Sequence, residues 1–143
     1  MALFSKDRIL VPTDFSEKSL QAVKETIAFA DNISNVYVVH VLRPLEATEP
    51  GVVWDSVDTD KRAATVQKLF DEKFPSSEYQ GLSFAIESGD PTAEIIDYAE
   101  QQNIDLIVMP SRGRTGISRF FMDSIAERVV RIAQCPDLVL TKQ

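Results

Sequence analysis

Cysteine and histidine are the scarcest chemistry in this 143-residue chain, with one of each. A lone Cys135 cannot form an intramolecular disulfide, and it reads as a small core-filling residue in preference to a reactive thiol. A lone His40, with no cysteine or acid cluster near it in sequence, cannot build a metal site and reads as a packed, hydrogen-bonded ring. No apolar run is long enough to span a bilayer. Basic residues are outnumbered, 15 against 22 acids for a net charge of −7, so the mean field repels nucleic acids and anionic membranes. There is no Gly-x4-Gly-Lys-Ser/Thr loop, no serine elbow and no paired acid and base, which argues against a Walker-type nucleotidase and against a conventional enzyme. Asp55, Asp58 and Asp60 alternate like calcium ligands, but the glycine and terminal glutamate of an EF-hand loop are missing. Lys6, Asp7 and Arg8 precede the first apolar run where a signal peptide would need hydrophobic residues, so the expected compartment is the cytoplasm.

What is present alternates regularly. Arg8–Pro12 is a short apolar run stopped by proline. Ser16 is placed to cap a helix, with Glu17 in its first turn and Leu20, Val23, Ile27 and Ala30 on one face. Val36–Leu42 is β-branched and nearly unbroken, as a central parallel strand covered on both faces would be. Arg43–Asp58 is irregular, with Pro44, Pro50 and Gly51 as breakers and Trp54 as either a lid or an anchor for the loop. Thr59–Lys73 is a predicted helix with Ala63, Val66, Phe70 and Phe74 inward, and Leu82–Ile86 an alternating strand near a sheet edge. Gly89-Asp90-Pro91 is a helix start of glycine turn, aspartate cap and proline at the first helical position, with Ile95, Ile96 and Ala99 inward. Leu106–Met109 is a fourth strand. A helix follows with Ser118 as its cap and Phe121, Ile125, Val129 and Ile132 inward, and Pro136–Leu140 is a fifth strand.

This alternation predicts one α/β domain over residues 1–143, doubly wound, with a five-stranded parallel sheet of order 3-2-1-4-5 and helices on both faces. The order reverses between the first and fourth strands, and ligands of such sheets bind at the strand carboxyl ends there. Those ends are Pro12-Thr13-Asp14 and the loop from Pro110 to Arg119. That loop carries Arg112, Arg114 and Arg119, and no acid occurs between Leu106 and Met122. Strand, glycine turn and helix offer backbone N–H groups to an anion such as phosphate. The competing reading is that the arginines form a solvated face.

Val11-Pro12-Thr13-Asp14-Phe15-Ser16, Val39-His40-Val41, Gly89-Asp90-Pro91, Ser111–Arg119, Ser124–Val129 and Cys135-Pro136, in that order, resemble the universal stress protein (UspA-like) family along the whole chain. The resemblance implies a homodimer paired through the last strand. It also implies a nucleotide pocket that in many members holds ATP without conventional catalysis. The adenine and ribose positions correspond to Pro12, Thr13, Asp14 and Val41. The phosphate positions of the family pattern Gly-x2-Gly-x9-Gly-Ser/Thr fall on Pro110, Gly113, Asp123 and Ser124, with Arg114 inside the loop. Two glycines are therefore replaced. Pro110 removes an N–H donor and fixes φ, and Asp123 puts a carboxylate where a polyphosphate would lie. At an effective dielectric of about 20, like charges ~4 Å apart repel by roughly 4 kcal/mol.

Asp14 has two readings, one facing a ligand and one satisfying the N–H groups of its own turn. The last strand, with Val139 and Leu140 followed by Lys142 and Gln143, leaves an edge that a second copy would pair, unless Asp137 and Lys142 shield a monomer. The expected function is a cytoplasmic binding or signalling module, with an unidentified protein partner and a modified nucleotide-type pocket that binds ATP or AMP, with or without Mg²⁺, weakly or not at all. The alternative is a competent ATP/AMP-binding stress-response switch with little or no hydrolysis. A third reading, an enzyme using Asp14 and Ser124 on an anionic substrate, comes last.

Overall fold

The computed structural model describes residues 5–43, 55–110 and 122–140, without the side chains of 55–58 and 122–124. Trp54, the loop 111–121 with Gly113, Arg114 and Ser118, and the side chains of Asp123 and Ser124 lie outside the described residues. Strands β1 (Ile9–Pro12), β2 (Val36–Leu42), β3 (Ser83–Ser88), β4 (Leu106–Met109) and β5 (Asp137–Val139) alternate with helices α1 (Glu17–Phe29), α2 (Asp55–Lys73), α3 (Pro91–Gln101) and α4 (Met122–Ile132). All four strand pairings are parallel, and the order is β3-β2-β1-β4-β5, as the alternation of elements predicted.

Strand parity divides the core in two. Leu10, Val39, Ile107 and Met109 meet Ile95, Tyr98 and Ala99 of α3 and Ile125, Ala126 and Val129 of α4. Ile9, Val11, Val36, Val38, Leu106 and Val108 meet Ala22 and Val23 of α1 and Phe70 of α2, with Phe74 just beyond that helix. Each fully buried aliphatic side chain here contributes about 1.5–3 kcal/mol relative to exposure. Near-continuous apolar strands are what a sheet covered on both faces requires.

Four local expectations are corrected. The innermost stripe of α1 is Ser19, Ala22, Val23 and Thr26, while Leu20, Ile27 and Ala30 are half-buried on its flank. The two polar residues can be buried because both are bonded locally: the Thr26 hydroxyl donates to the Ala22 carbonyl at 2.7 Å, and Ser19 serves the β1–α1 turn. Helix α2 begins at Asp55, one turn before Thr59, since an acidic first turn suits the positive end of a helix. Strand β3 is displaced towards Ser88. Ile132 is 54% exposed although it falls in line with Ile125 and Val129, because it is the last residue of α4.

Candidate functional site

A crevice opens at the carboxyl ends of β1 and β2; the strand order had placed it between β1 and β4, and of those two ends only that of β1 is among its described lining. Pro12, Thr13, Asp14 and Val41, the described members of the sequence-derived set, all line it. One side is apolar, formed by Val39, Val41, Pro91, Ile95 and Ile125, and the other is polar, with Asp14, His40 and Arg62. Arg62 and the α3–α4 wall were not anticipated. Arg62 comes from a helix whose apolar spacing says nothing about its opposite face.

The floor is the β1–α1 turn, which can be read bond by bond. Ser19 Oγ donates to the Ser16 carbonyl (3.1 Å), so in its 2.8 Å contact with Thr13 the threonine hydroxyl is the donor. Ser19 Oγ also accepts the Asp14 N–H (3.3 Å), and Thr13 Oγ1 accepts the Phe15 N–H (3.0 Å). Asp14 Oδ1 accepts the Ser16 N–H (2.9 Å), and Ser16 Oγ in turn caps α1 through the Ser19 N–H (3.3 Å). The hydroxyls of Thr13 and Ser19 are thereby both committed to the turn. The turn-satisfying role of Asp14 is thus realised by Oδ1.

Closing this turn puts Phe15 at φ 66°, in the left-handed region that costs a residue with a Cβ about 1–2 kcal/mol. The strained residue packs edge-on against the His40 ring (5.2 Å between centroids) and against Phe84 (6.2 Å). Strain of this kind persists where the surroundings over-determine the backbone.

The end of β2 supplies backbone groups that have no partner among the described residues. The Thr13 N–H donates to the Val39 carbonyl at 2.8 Å, so the peptide groups of Val39 face β1. Residues two apart share an edge, so those of Val41 face the same way, but β1 pairs no further than Pro12 with Val39. On the opposite edge the Leu42 carbonyl is taken by the Gly89 N–H at 3.0 Å. Val41 therefore offers one donor and one acceptor to the crevice, beyond the last residue of β1.

His40 Nδ1 lies 2.8 Å from the Thr13 carbonyl oxygen. A carbonyl only accepts, so Nδ1 carries the hydrogen. Burial pushes the imidazole below its ordinary pKa, outweighing its bond to Thr13 and the attraction of Asp14, and the Arg62 charge lowers it further. Arg62 Nη2 donates to the Arg43 carbonyl at 2.8 Å. Among the described residues no group of three or more His, Cys, Asp or Glu side chains comes together as a metal cluster. Pro110 follows β4 directly and is buried. No described helix is long and apolar enough to cross a membrane.

Comparison with known proteins was made against this geometry. Residues 6–141 match the model of the universal stress protein family. Universal stress protein MJ0531 of Methanocaldococcus jannaschii is 34% identical over 140 residues, covering 94% of this chain and 82% of that protein. The structure of MJ0577, from the same archaeon, superposes with a TM-score of 0.74 at 26% identity, covering 96% of this chain and 97% of the other. An Arabidopsis thaliana family protein solved with AMP bound shares the fold, with a TM-score of 0.59 at 19% identity over 95% of this chain and 92% of its own. With its family pattern matched across nearly its full length, the chain belongs to the universal stress protein family.

Proposed function

We propose that the crevice holds an adenine nucleotide by its nucleoside end and that the chain works as a cytoplasmic binding or signalling module, without turnover. The observation that carries this reading is the open Val41 peptide edge facing the Thr13–Asp14 turn. It sets a donor and an acceptor beside an apolar slot, which fits a flat heterocycle with hydrogen-bonding edges. The AMP held by the Arabidopsis relative supports the same ligand class. The residues present fit the nucleoside better than a triphosphate. Pro110 and Asp123 occupy two positions where the family pattern has glycine, so phosphates beyond the first gain little. Mg²⁺, which would screen the phosphates when bound, has Asp14 as the nearest described carboxylate of the crevice.

Calorimetric titration with adenosine, AMP and ATP, with and without Mg²⁺, tests this. ATP is expected to bind no more than a few-fold better than AMP, and more weakly than micromolar. Replacing Pro110 and Asp123 together by glycine should then raise ATP affinity about tenfold or more, the removal of roughly half the repulsion given above. Micromolar ATP binding by the unaltered chain, well above AMP, would instead establish the second reading, a competent ATP switch in which Arg112, Arg114 and Arg119 replace the lost glycine contacts.

The assembly proposed with this function is a homodimer through β5. Leu138 and Val139 on that edge strand are 44% and 40% exposed, and Val130 and Ile132 of the neighbouring α4 are 49% and 54% exposed. An apolar edge with unpaired backbone is covered by a second copy at little cost. Sedimentation should give a dimer that Val139→Lys converts to monomer; a monomeric unaltered chain refutes the pairing.

A further inference from the structure

We propose that the opposite end of the sheet carries a second ligand site, a pocket between the C-termini of α3 and α4 that takes a small hydrophobic ammonium ion.

The pocket lies at the amino end of β4, on the α3–α4 face of the sheet. Its apolar lining is Ile96 and Ala99 of α3, Ile104 and Ile107 at β4, and Ala133 just past α4. Its volume is about 250 Å³, against about 190 Å³ for the crevice. An apolar cavity of roughly 150 Å³ already admits benzene, so one aromatic or short alkyl body fits here. The way α3 ends shapes the hollow. Asn103 takes a left-handed conformation at φ 54°, its N–H returns to the Glu100 carbonyl at 3.3 Å, and the Ile104 N–H returns to the Ala99 carbonyl at 2.9 Å. This is the bonding of a Schellman cap, which stops a helix sharply and satisfies its last carbonyls within the turn. The chain leaves it with Ile104 buried against the core.

The electrostatics of this end are one-sided. Both helices run from the carboxyl end of the parallel sheet to its amino end, so the negative ends of both dipoles meet at the pocket, with Asn103 and Gln134 on its rim. A basic residue in the last turn commonly offsets such a helix end. In α3 there is none, and Glu100 stands on the rim instead. In α4 there is Arg131, which is tied to Glu127 at 3.0 Å. No lysine or arginine occurs among the described lining residues. The Cys135 thiol, also on the lining, feels the same field: burial pushes it above its ordinary pKa, and the charges of Asp137 and Asp105 add to the shift. The thiol is therefore neutral, and the hollow is edged by a carboxylate and two negative helix ends. An ammonium group at the rim complements that charge while its apolar body fills the space below.

The test uses the full chain and three probes of one shape: phenethylamine, which is protonated at pH 7 as a lysine amine is, neutral phenethyl alcohol and anionic phenylacetate. In proton–nitrogen correlation spectra phenethylamine should shift the amides of Ala99, Ile104 and Cys135, with a dissociation constant of about a millimolar, as expected for roughly nine heavy atoms. Phenethyl alcohol should bind about fivefold more weakly, the loss of one partly exposed charge contact, and phenylacetate more weakly still. Glu100→Gln, at an exposed position, should bring amine and alcohol within about twofold of each other. Ala133→Leu, at a half-buried position outside α4, fills the hollow from its rim and should abolish the shifts. If that variant is unfolded by circular dichroism, the unaltered chain decides: saturating phenethylamine should slow alkylation of Cys135 by iodoacetamide, and AMP should not. Equal binding of the three probes, an amine preference unchanged in Glu100→Gln, shifts confined to Thr13 and Val41 at the crevice, or shifts that persist in Ala133→Leu overturn the site. An alkylation rate that phenethylamine leaves unchanged does the same. None of these outcomes touches the nucleotide reading.

Discussion

Among the described residues two strand-to-helix turns lie at the carboxyl end of the sheet, and they solve the same problem differently. After β3 the chain uses Gly89 at φ 144°, then Asp90, whose carboxylate caps α3 through the Ala93 N–H at 3.0 Å, then Pro91 in the first turn. A glycine takes that conformation without steric cost, and a proline there forfeits only an N–H that would have no partner in the helix. After β1 the chain instead forces Phe15 to φ 66° and holds the bend with a web of hydroxyls and amides around Ser19. A glycine at position 15 would remove the strain and also the ring that steadies His40. The relaxed turn starts a helix. The strained one builds the floor of the crevice, and on the proposed function the difference marks it as the turn organised around a ligand.

Replacing Ser19 by alanine should widen this contrast most. Ser19 is fully buried, and its loss leaves the Thr13 hydroxyl and the Asp14 N–H without their acceptor. A loss of about 2–3 kcal/mol in denaturant unfolding is expected, together with weakened AMP binding, because the floor of the crevice depends on those bonds. Gly89→Ala should cost less, about 1–2 kcal/mol. Its Cβ would approach the Glu94 carboxylate to 2.9 Å, but that is the end of a flexible side chain that can swing away, so the strained φ is the main cost. AMP affinity should stay within about twofold of the unaltered chain, a change under half a kcal/mol. If Gly89→Ala harmed binding as much as Ser19→Ala, the assignment of the β1–α1 turn as the ligand-organised one would fail.

Sequence reading reached the relaxed turn more completely than the strained one, for physical reasons. Gly-Asp-Pro is a local code in which each residue's backbone preference states its own position, so α3 was placed from three letters. The uninterrupted runs Val36–Leu42 and Leu106–Met109 likewise announce strands buried on both faces, and their alternation with helices predicted the order of the sheet. Pro12, Thr13, Asp14 and Val41 came from the family resemblance, and the described structure gathers them on one crevice. What escaped was whatever depends on partners distant in sequence. Apolar spacing could not see that Ser19 and Thr26 lie innermost on α1, because their polar atoms are satisfied by neighbouring backbone. The tautomer of His40 is set by a carbonyl 27 residues away, and Arg62 reaches the wall from a helix whose first turn looked like loop. Ile132 obeyed the helical period but stands at the last residue of α4, where the core no longer covers it.

The smallest expected effect is a pair of opposed pH dependences that separate the two ends of the sheet. His40, at the carboxyl end, has a folded pKa below its unfolded value near 6.5. Below that value the unfolded chain takes up a proton that the folded chain resists, so this group's contribution to stability rises as pH increases through 6.5 and is lost on acidification. Asp137, at the start of β5, behaves oppositely. Burial raises its carboxyl from 3.8 to about 6, and its Oδ1 has no hydrogen-bond partner. Between those values the unfolded chain ionises while the folded chain holds its proton, so stability falls as pH rises through that window and stays lowered above it. The full shift would correspond to about 3 kcal/mol, but the residue is only part-buried, and screening reduces the expected effect to about 1 kcal/mol. Urea unfolding from pH 4 to 8 should therefore show Asp137→Asn gaining about 1 kcal/mol on the unaltered chain at pH 7 and nothing at pH 4. His40→Asn should flatten the rise near pH 6.5 and leave the Asp137 window untouched. If one substitution removed both slopes, the two ends of the sheet would be coupled in titration, and their separation would not hold.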